Sequence, residues 1–93
     1  MDIKKELEDY VRGKYKHVAI SIDNVCFYEK DIEKSTIEVT ICLDLYVDNY
    51  ANFVITGKGL FSEDSFIDFA KLTIDDAIKK QIENYFYKVE EQK

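Results

Sequence analysis

Strict alternation of apolar and polar residues marks the middle of this 93-residue chain. From residue 36 to 47, one parity is entirely aliphatic and the other holds mainly polar residues, which predicts a strand with one buried and one solvated face. The buried set would be Ile37, Val39, Ile41, Leu43, Leu45 and Val47. A third strand is predicted over 52–56, with Phe53 and Ile55 pointing inward.

A first strand is predicted over residues 17–29, but its apolar parity changes after Asp23-Asn24. A β-bulge at this point would return Val25 and Phe27 to the buried face. A tight turn at Asp23-Asn24 is the alternative, although Asp-Asn is a weaker hairpin signal than Asn-Gly. We therefore expect a bulge within one long strand.

Helical spacing of apolar residues appears at both ends of the chain. Residues 2–12 predict a helix that Asp2 caps and Gly13 ends. A second stripe runs through the last third, where Thr73 and Asp76 have the spacing of a capping box. We therefore expect a short helix near 63–71, a break at Leu72-Thr73 and a longer helix near 74–91. One unbroken helix is the alternative, and it would overhang the sheet.

These elements predict a single α+β domain covering residues 1–93. An N-terminal helix precedes a three-stranded antiparallel sheet, and two C-terminal helices pack with it on one face of the sheet. The other face is expected to remain solvated.

Composition limits where the protein acts and what it binds. Nineteen acidic residues against 13 basic ones give a net charge of −6, which argues against direct binding to nucleic acid or to an anionic membrane. No apolar run resembles a signal peptide or a membrane span, so a cytoplasmic location is expected. In that compartment Cys26 and Cys42 should be free thiols. We expect them to be neighbours on the outer face of the first two strands.

Residues capable of catalysis or ligand binding do not form a recognisable motif. His17 is the single histidine, and Gly57-Lys58-Gly59 lacks the pattern of a phosphate-binding loop. Asp75-Asp76 is explained as the acidic first turn of the last helix. The sequence therefore predicts a protein that is not an enzyme and has no cofactor and no metal site.

Negative charge is concentrated in the predicted sheet. Residues 23–64 hold nine acidic residues and three lysines, and no Lys or Arg occurs from residue 35 to 57. Tyrosines lie among these carboxylates, and tyrosine is enriched at protein interfaces. We expect a partner-binding surface that recognises a basic protein surface; an ordinary solvated face is the alternative. Its residues would be Glu38, Asp44, Tyr46, Asp48 and Tyr50.

In element order and acidic charge, the whole chain resembles the small anti-CRISPR proteins of phages. That resemblance implies an inhibitor that presents carboxylates to the nucleic-acid-binding surface of a CRISPR nuclease. A second resemblance, to SecB-type secretion chaperones, lies in the alternating segment from Thr36 to Phe61 and the helices after it. It implies the alternative function, a chaperone or oligomeric assembly subunit without catalysis.

Overall fold

The computed structural model describes residues 2–43, 50–59 and 62–91, with side chains up to residue 83. One helix precedes the three strands of a sheet and one helix follows them, which confirms the expected α+β class. The elements are α1 (Ile3–Lys14), β1 (Val18–Cys26), a 3-10 turn (Ile32–Lys34), β2 (Thr36–Leu43), β3 (Tyr50–Thr56) and α2 (Glu63–Glu91).

The sheet is an antiparallel meander with the order β1-β2-β3, as predicted. Each strand agrees with its predicted segment to within a few residues, and the part of the second strand that would hold Leu45 and Val47 lies outside the described residues. The predicted bulge is also confirmed. Asp23 pairs with Glu38 and Cys26 with Thr36, so β1 carries one more residue than β2 across this interval. Asn24 has a φ of 47°, a left-handed conformation that asparagine tolerates better than most residues.

The core lies between the sheet and the two helices. The aliphatic parity of β2 points inward, and Ile37, Val39 and Ile41 have almost no exposed surface. Each helix contributes apolar residues at helical spacing, which lie on the side of the helix that faces the sheet. The fully covered helix residues are Leu7 and Val11 of α1 with Phe66, Ala70, Ile74 and Ile78 of α2. Because both helices pack on the same side, the other face of the sheet has no helix of the described residues against it.

Helix α1 begins where the sequence predicts and ends later. The Asp2 carboxylate accepts a hydrogen bond from the Lys5 amide at 3.1 Å, which confirms the N-cap. Gly13 was expected to end the helix, but the helix continues to Lys14. The amide of Tyr15 still donates to the carbonyl of Val11 at 2.8 Å, so helical hydrogen bonding passes Gly13 without interruption.

Helix α2 is one continuous helix of 29 residues, so the predicted pair of C-terminal helices is wrong. The hydroxyl of Thr73 donates to the carbonyl of Phe69 at 2.9 Å, a bond that threonine makes inside a helix rather than at its start. The N-terminal cap is instead Ser62, whose Oγ accepts from the amide of Ser65 at 3.1 Å. At 1.5 Å per residue, α2 is about 43 Å long, which accounts for most of the 52 Å maximum extent of the molecule.

The connection between β1 and β2 contributes to the core, although its sequence looks polar. Ile32 is buried and Ser35 is completely buried. The Oγ of Ser35 accepts from the amide of Tyr28 at 2.8 Å, and its carbonyl accepts from the amide of Gly57 at 3.0 Å. A methyl group at Gly57 would lie 2.1 Å from the carbonyl oxygen of Ile32, so this close approach requires glycine.

Cys26 and Cys42 are both free thiols, but they are not the neighbours that the sequence predicted. Cys26 pairs with Thr36, and Cys42 pairs with Ala19 near the other end of the sheet. The hairpin closes at the Cys26–Thr36 pair, so the two cysteines are six residue steps apart along β2, about 20 Å. No intramolecular disulfide can form over that distance.

Candidate interaction surface

The uncovered side of the sheet, called the open face here, is made of side chains from all three strands. Cross-strand partners point to the same side of a sheet, so the pairing register defines its members. All of them are at least partly exposed, and none is Lys or Arg. They are Ala19, Ser21, Asp23 and Cys26 of β1, Thr36, Glu38, Thr40 and Cys42 of β2, and Tyr50, Asn52, Val54 and Thr56 of β3.

Two of the five predicted binding residues lie on the open face. Glu38 is on the central strand, paired with Asp23 on one side and Val54 on the other. Tyr50 is at the opposite end of the face, paired with Cys42 and therefore about 14 Å from Glu38 along the strand. The other three predicted residues, Asp44, Tyr46 and Asp48, lie outside the described residues.

Asp23 and Glu38 form a carboxylate pair that the sequence pattern does not predict. They are directly opposite one another, where two like charges oppose strand pairing. The side-chain amide of Asn24 relieves part of this cost, because its Nδ2 donates to Glu38 Oε2 at 2.7 Å. Ser21 Oγ donates to Asp23 Oδ2 at 3.3 Å. Both carboxylates are exposed, so a cationic side chain of a partner can reach them and neutralise their repulsion.

The rest of the open face is uncharged. Thr40 Oγ1 donates to Asn52 Oδ1 at 2.6 Å, linking β2 and β3 across the centre of the face. Tyr50 is 58% exposed and Val54 56% exposed, which is high for residues of this size. The face therefore combines two carboxylates with exposed aromatic and aliphatic surface and few long flexible side chains, a composition suited to protein contact.

A second polar cluster joins the end of α1 to the middle of α2. Asp75 accepts from Tyr10 Oη and Tyr15 Oη, each at 2.6 Å, and from Lys14 Nζ at 3.0 Å. Asp75 was expected in the first turn of a helix, and this prediction is wrong because α2 begins at Glu63. The sequence gives no local signal for the cluster, since Asp75 is 65 residues from Tyr10.

The cluster changes the proton affinity of its members. Partial burial alone would raise the pKa of Asp75, but the hydrogen bonds from Tyr10, Tyr15 and Lys14 outweigh it and the pKa is lowered. Burial and the bond to Asp75 raise the pKa of Tyr15 to about 12. Hydrogen bonds to Tyr10 and Asp75 raise the pKa of Lys14. The lowered pKa of Asp75 and the raised pKa values of Tyr15 and Lys14 are all promoted by their mutual hydrogen bonds, as expected of a clamp between two helices.

An open cleft of about 600 Å³ lies beside this clamp. Its lining mixes apolar and charged side chains: Tyr15, Asp75, Asp76, Ile78, Lys79, Ile82 and Glu83. Over the described ranges, no group of three or more His, Cys, Asp or Glu side chains is placed to hold a metal ion. His17, the single histidine, is exposed just before β1.

Comparison with known proteins adds no relative from which a role could be transferred. No protein-family model, curated protein or solved structure matches the chain. In the described part of the chain, neither helix has the length and apolarity needed to cross a membrane.

Proposed function

We propose that this protein is a non-catalytic binding module whose open face receives a protein partner carrying basic side chains. One observation carries the proposal. Within the described ranges the open face has no helix over it and contains no Lys or Arg, and it places the exposed Asp23–Glu38 pair beside the exposed Val54.

The physical basis is the combination of charge and exposed apolar area. A Lys or Arg of the partner at Asp23 and Glu38 would offset a repulsion that the free protein carries. Tyr50 and Val54 would supply area whose burial stabilises the complex. The net charge of −6 would steer a basic partner toward this protein and raise the association rate.

The most specific form of the proposal is inhibition of a CRISPR effector nuclease, with carboxylates occupying positions where the nuclease expects DNA phosphates. It rests on the similarity in element order and charge described above. The acidic open face is compatible with that role, and it equally suits other partners with a basic surface.

The test is inhibition of a purified CRISPR effector nuclease, loaded with its guide RNA, by the wild-type protein and by the double variant Asp23→Lys with Glu38→Lys. Wild-type protein should bind the nuclease and reduce DNA cleavage. The double variant should bind at least about tenfold more weakly, chiefly through slower association, and high salt should weaken the wild-type complex.

The matched control reverses two exposed acidic residues elsewhere, Glu33→Lys with Asp68→Lys, and makes the same change in net charge. This control should keep most of its binding, because its charges lie off the open face. Equal losses in both double variants would show that only net charge matters and would exclude a role for the open face. No binding by wild-type protein would exclude the nuclease as the partner.

A further inference from the structure

Strand β3 forms one edge of the sheet, and among the described residues no strand lies on its outer side. An edge strand carries unpaired N–H and C=O groups that can hydrogen bond to another strand. Proteins usually protect such edges with charged residues, proline or a bulge. The β3 sequence, Tyr-Ala-Asn-Phe-Val-Ile-Thr, has no charge and no proline, and its register with β2 has no irregularity.

The hydrogen-bonding pattern identifies which residues of β3 face outward from the edge. The amide of Gly57 donates to the carbonyl of Ser35, which makes the residues at odd positions the ones bonded to β2. The backbone groups of the residues at even positions therefore point away from the sheet. These residues are Tyr50, Asn52, Val54 and Thr56, and their side chains lie on the open face.

The opposite edge of the sheet is less suited to pairing. Strand β1 has the bulge between Asp23 and Cys26, with Asn24 in a left-handed conformation. A bulge twists the strand and interrupts the row of backbone groups. Asp23 also adds a charge on this strand. The two edges thus differ, and of the two only β3 presents an uninterrupted row of outward backbone groups with no charged side chain.

We propose that β3 pairs antiparallel with β3 of a second copy of this chain, forming a symmetric dimer. A two-fold axis at Phe53 would pair Asn52 with Val54 of the other copy, and Tyr50 with Thr56. All of these have backbone groups that point outward. The strand is self-complementary in this register, because no pair brings together two like charges.

Phe53 provides a further reason for this register. Its side chain points to the core side and is only half-buried within one chain. At the two-fold axis it would face its own copy in a non-hydrogen-bonded pair, where side chains of opposite strands are closest. The dimer would therefore cover aromatic surface that a single chain leaves partly exposed.

This inference goes beyond the proposed function and does not depend on it. Antiparallel edge pairing would join two three-stranded sheets into one continuous sheet, with both open faces on the same side. A partner would then meet two Asp23–Glu38 pairs related by two-fold symmetry.

The test is the mass in solution, by light scattering or sedimentation, across a wide range of protein concentrations. Wild-type protein should reach twice the 11.0 kDa of one chain as concentration rises. Val54→Pro removes an outward N–H without removing a bond to β2, and should leave a folded monomer. Val54→Ala keeps that N–H and should still form dimers. A monomeric wild-type protein at every concentration, or a dimeric Val54→Pro variant, would overturn the proposal.

Hydrogen exchange of the wild-type protein provides a measurement that needs no variant. The amides of Asn52, Val54 and Thr56 should become more protected as concentration rises. Those of Ile20 and Ile22, which point outward from β1, should not change. Protection that is independent of concentration at the three β3 amides would contradict the dimer.

Salt dependence separates this proposal from the proposed function. Added salt should maintain or strengthen the dimer, because it screens the repulsion between two chains of like net charge. Added salt should weaken binding to a basic partner, so the two proposals can fail separately.

Discussion

Asp75 of α2 holds the end of α1 through side-chain hydrogen bonds from Tyr10, Lys14 and Tyr15. Both of its carboxylate oxygens accept short hydrogen bonds, and all the donors come from the C-terminal part of α1 and the residue after it. An isolated α1 of 12 residues would be marginally stable in water. The clamp therefore adds directional bonds to the apolar stripe that holds this helix on α2.

Asp75→Asn should destabilise the protein at neutral pH by about 1–3 kcal/mol, because the amide cannot accept from the same donors at both positions. The pKa of Asp75 is lower in the folded state than its ordinary value of 3.8. Its contribution to stability is therefore present above that value and is lost as pH falls through the folded pKa. Denaturant unfolding as a function of pH should show a smaller loss in acid for the variant than for wild type.

Asp76→Asn is the matched control for Asp75. Asp76 is exposed and makes an ion pair with Lys80 one helical turn away, a contact worth only a few tenths of a kcal/mol. Its replacement should change stability by less than about 0.5 kcal/mol. If both variants lost the same stability, the hydrogen bonds of Asp75 would have no special role.

At the scale of elements, the sequence predicts most of the helices and strands but not the continuity of α2. Strands β1, β2 and β3 follow from period-two alternation, and the bulge follows from a change of parity at Asp23-Asn24. The break at Leu72-Thr73 was inferred from a local capping pattern. That pattern is ambiguous, because a threonine hydroxyl can bond either to an amide at a helix start or to a carbonyl one turn back within a helix.

One variant at Asp2 and one at Thr73 distinguish a helix N-cap from a residue inside a helix. Asp2→Ala removes the N-cap of α1 and should cost about 1 kcal/mol in the free energy of unfolding. Thr73→Ala removes a hydroxyl from the middle of α2 and replaces threonine by a better helix former. It should be neutral within about 0.5 kcal/mol or stabilising. Chemical denaturation of both variants provides the measurement, and a loss near 1 kcal/mol at Thr73 would indicate a cap there.

For the whole molecule, the face on which each described strand residue lies could be predicted from the sequence, while contacts between distant segments could not. Period-two alternation correctly predicted Ile37, Val39 and Ile41 as buried. Predictions that needed the strand register, such as neighbouring cysteines, failed because the register depends on where the hairpin closes. The Asp23–Glu38 pair and the Asp75 clamp also require tertiary structure, since each joins residues that are far apart in sequence.

Ile41→Asp should unfold the domain, because it places a carboxylate without a partner at a position with no exposed surface. The expected loss is about 4 kcal/mol or more, a large part of the stability of a domain this size. Thr40→Asp adds the same charge to the adjacent residue on the open face and should leave the domain folded. Circular dichroism and thermal unfolding of the two variants provide the comparison. Native stability in Ile41→Asp would contradict the inward parity of β2.

The close approach of Gly57 to Ile32 has a consequence for the descent of this protein. A side chain at position 57 would collide with main-chain atoms, whereas a methyl group at Gly13 would meet nothing within 4 Å. Lineages that keep the 3-10 turn against the end of β3 must therefore retain glycine at position 57, while position 13 is free to drift. Homologues whose surface residues have diverged should therefore still have a glycine directly after the third strand. They should also keep a buried aliphatic residue in the first hairpin connection, at the position of Ile32.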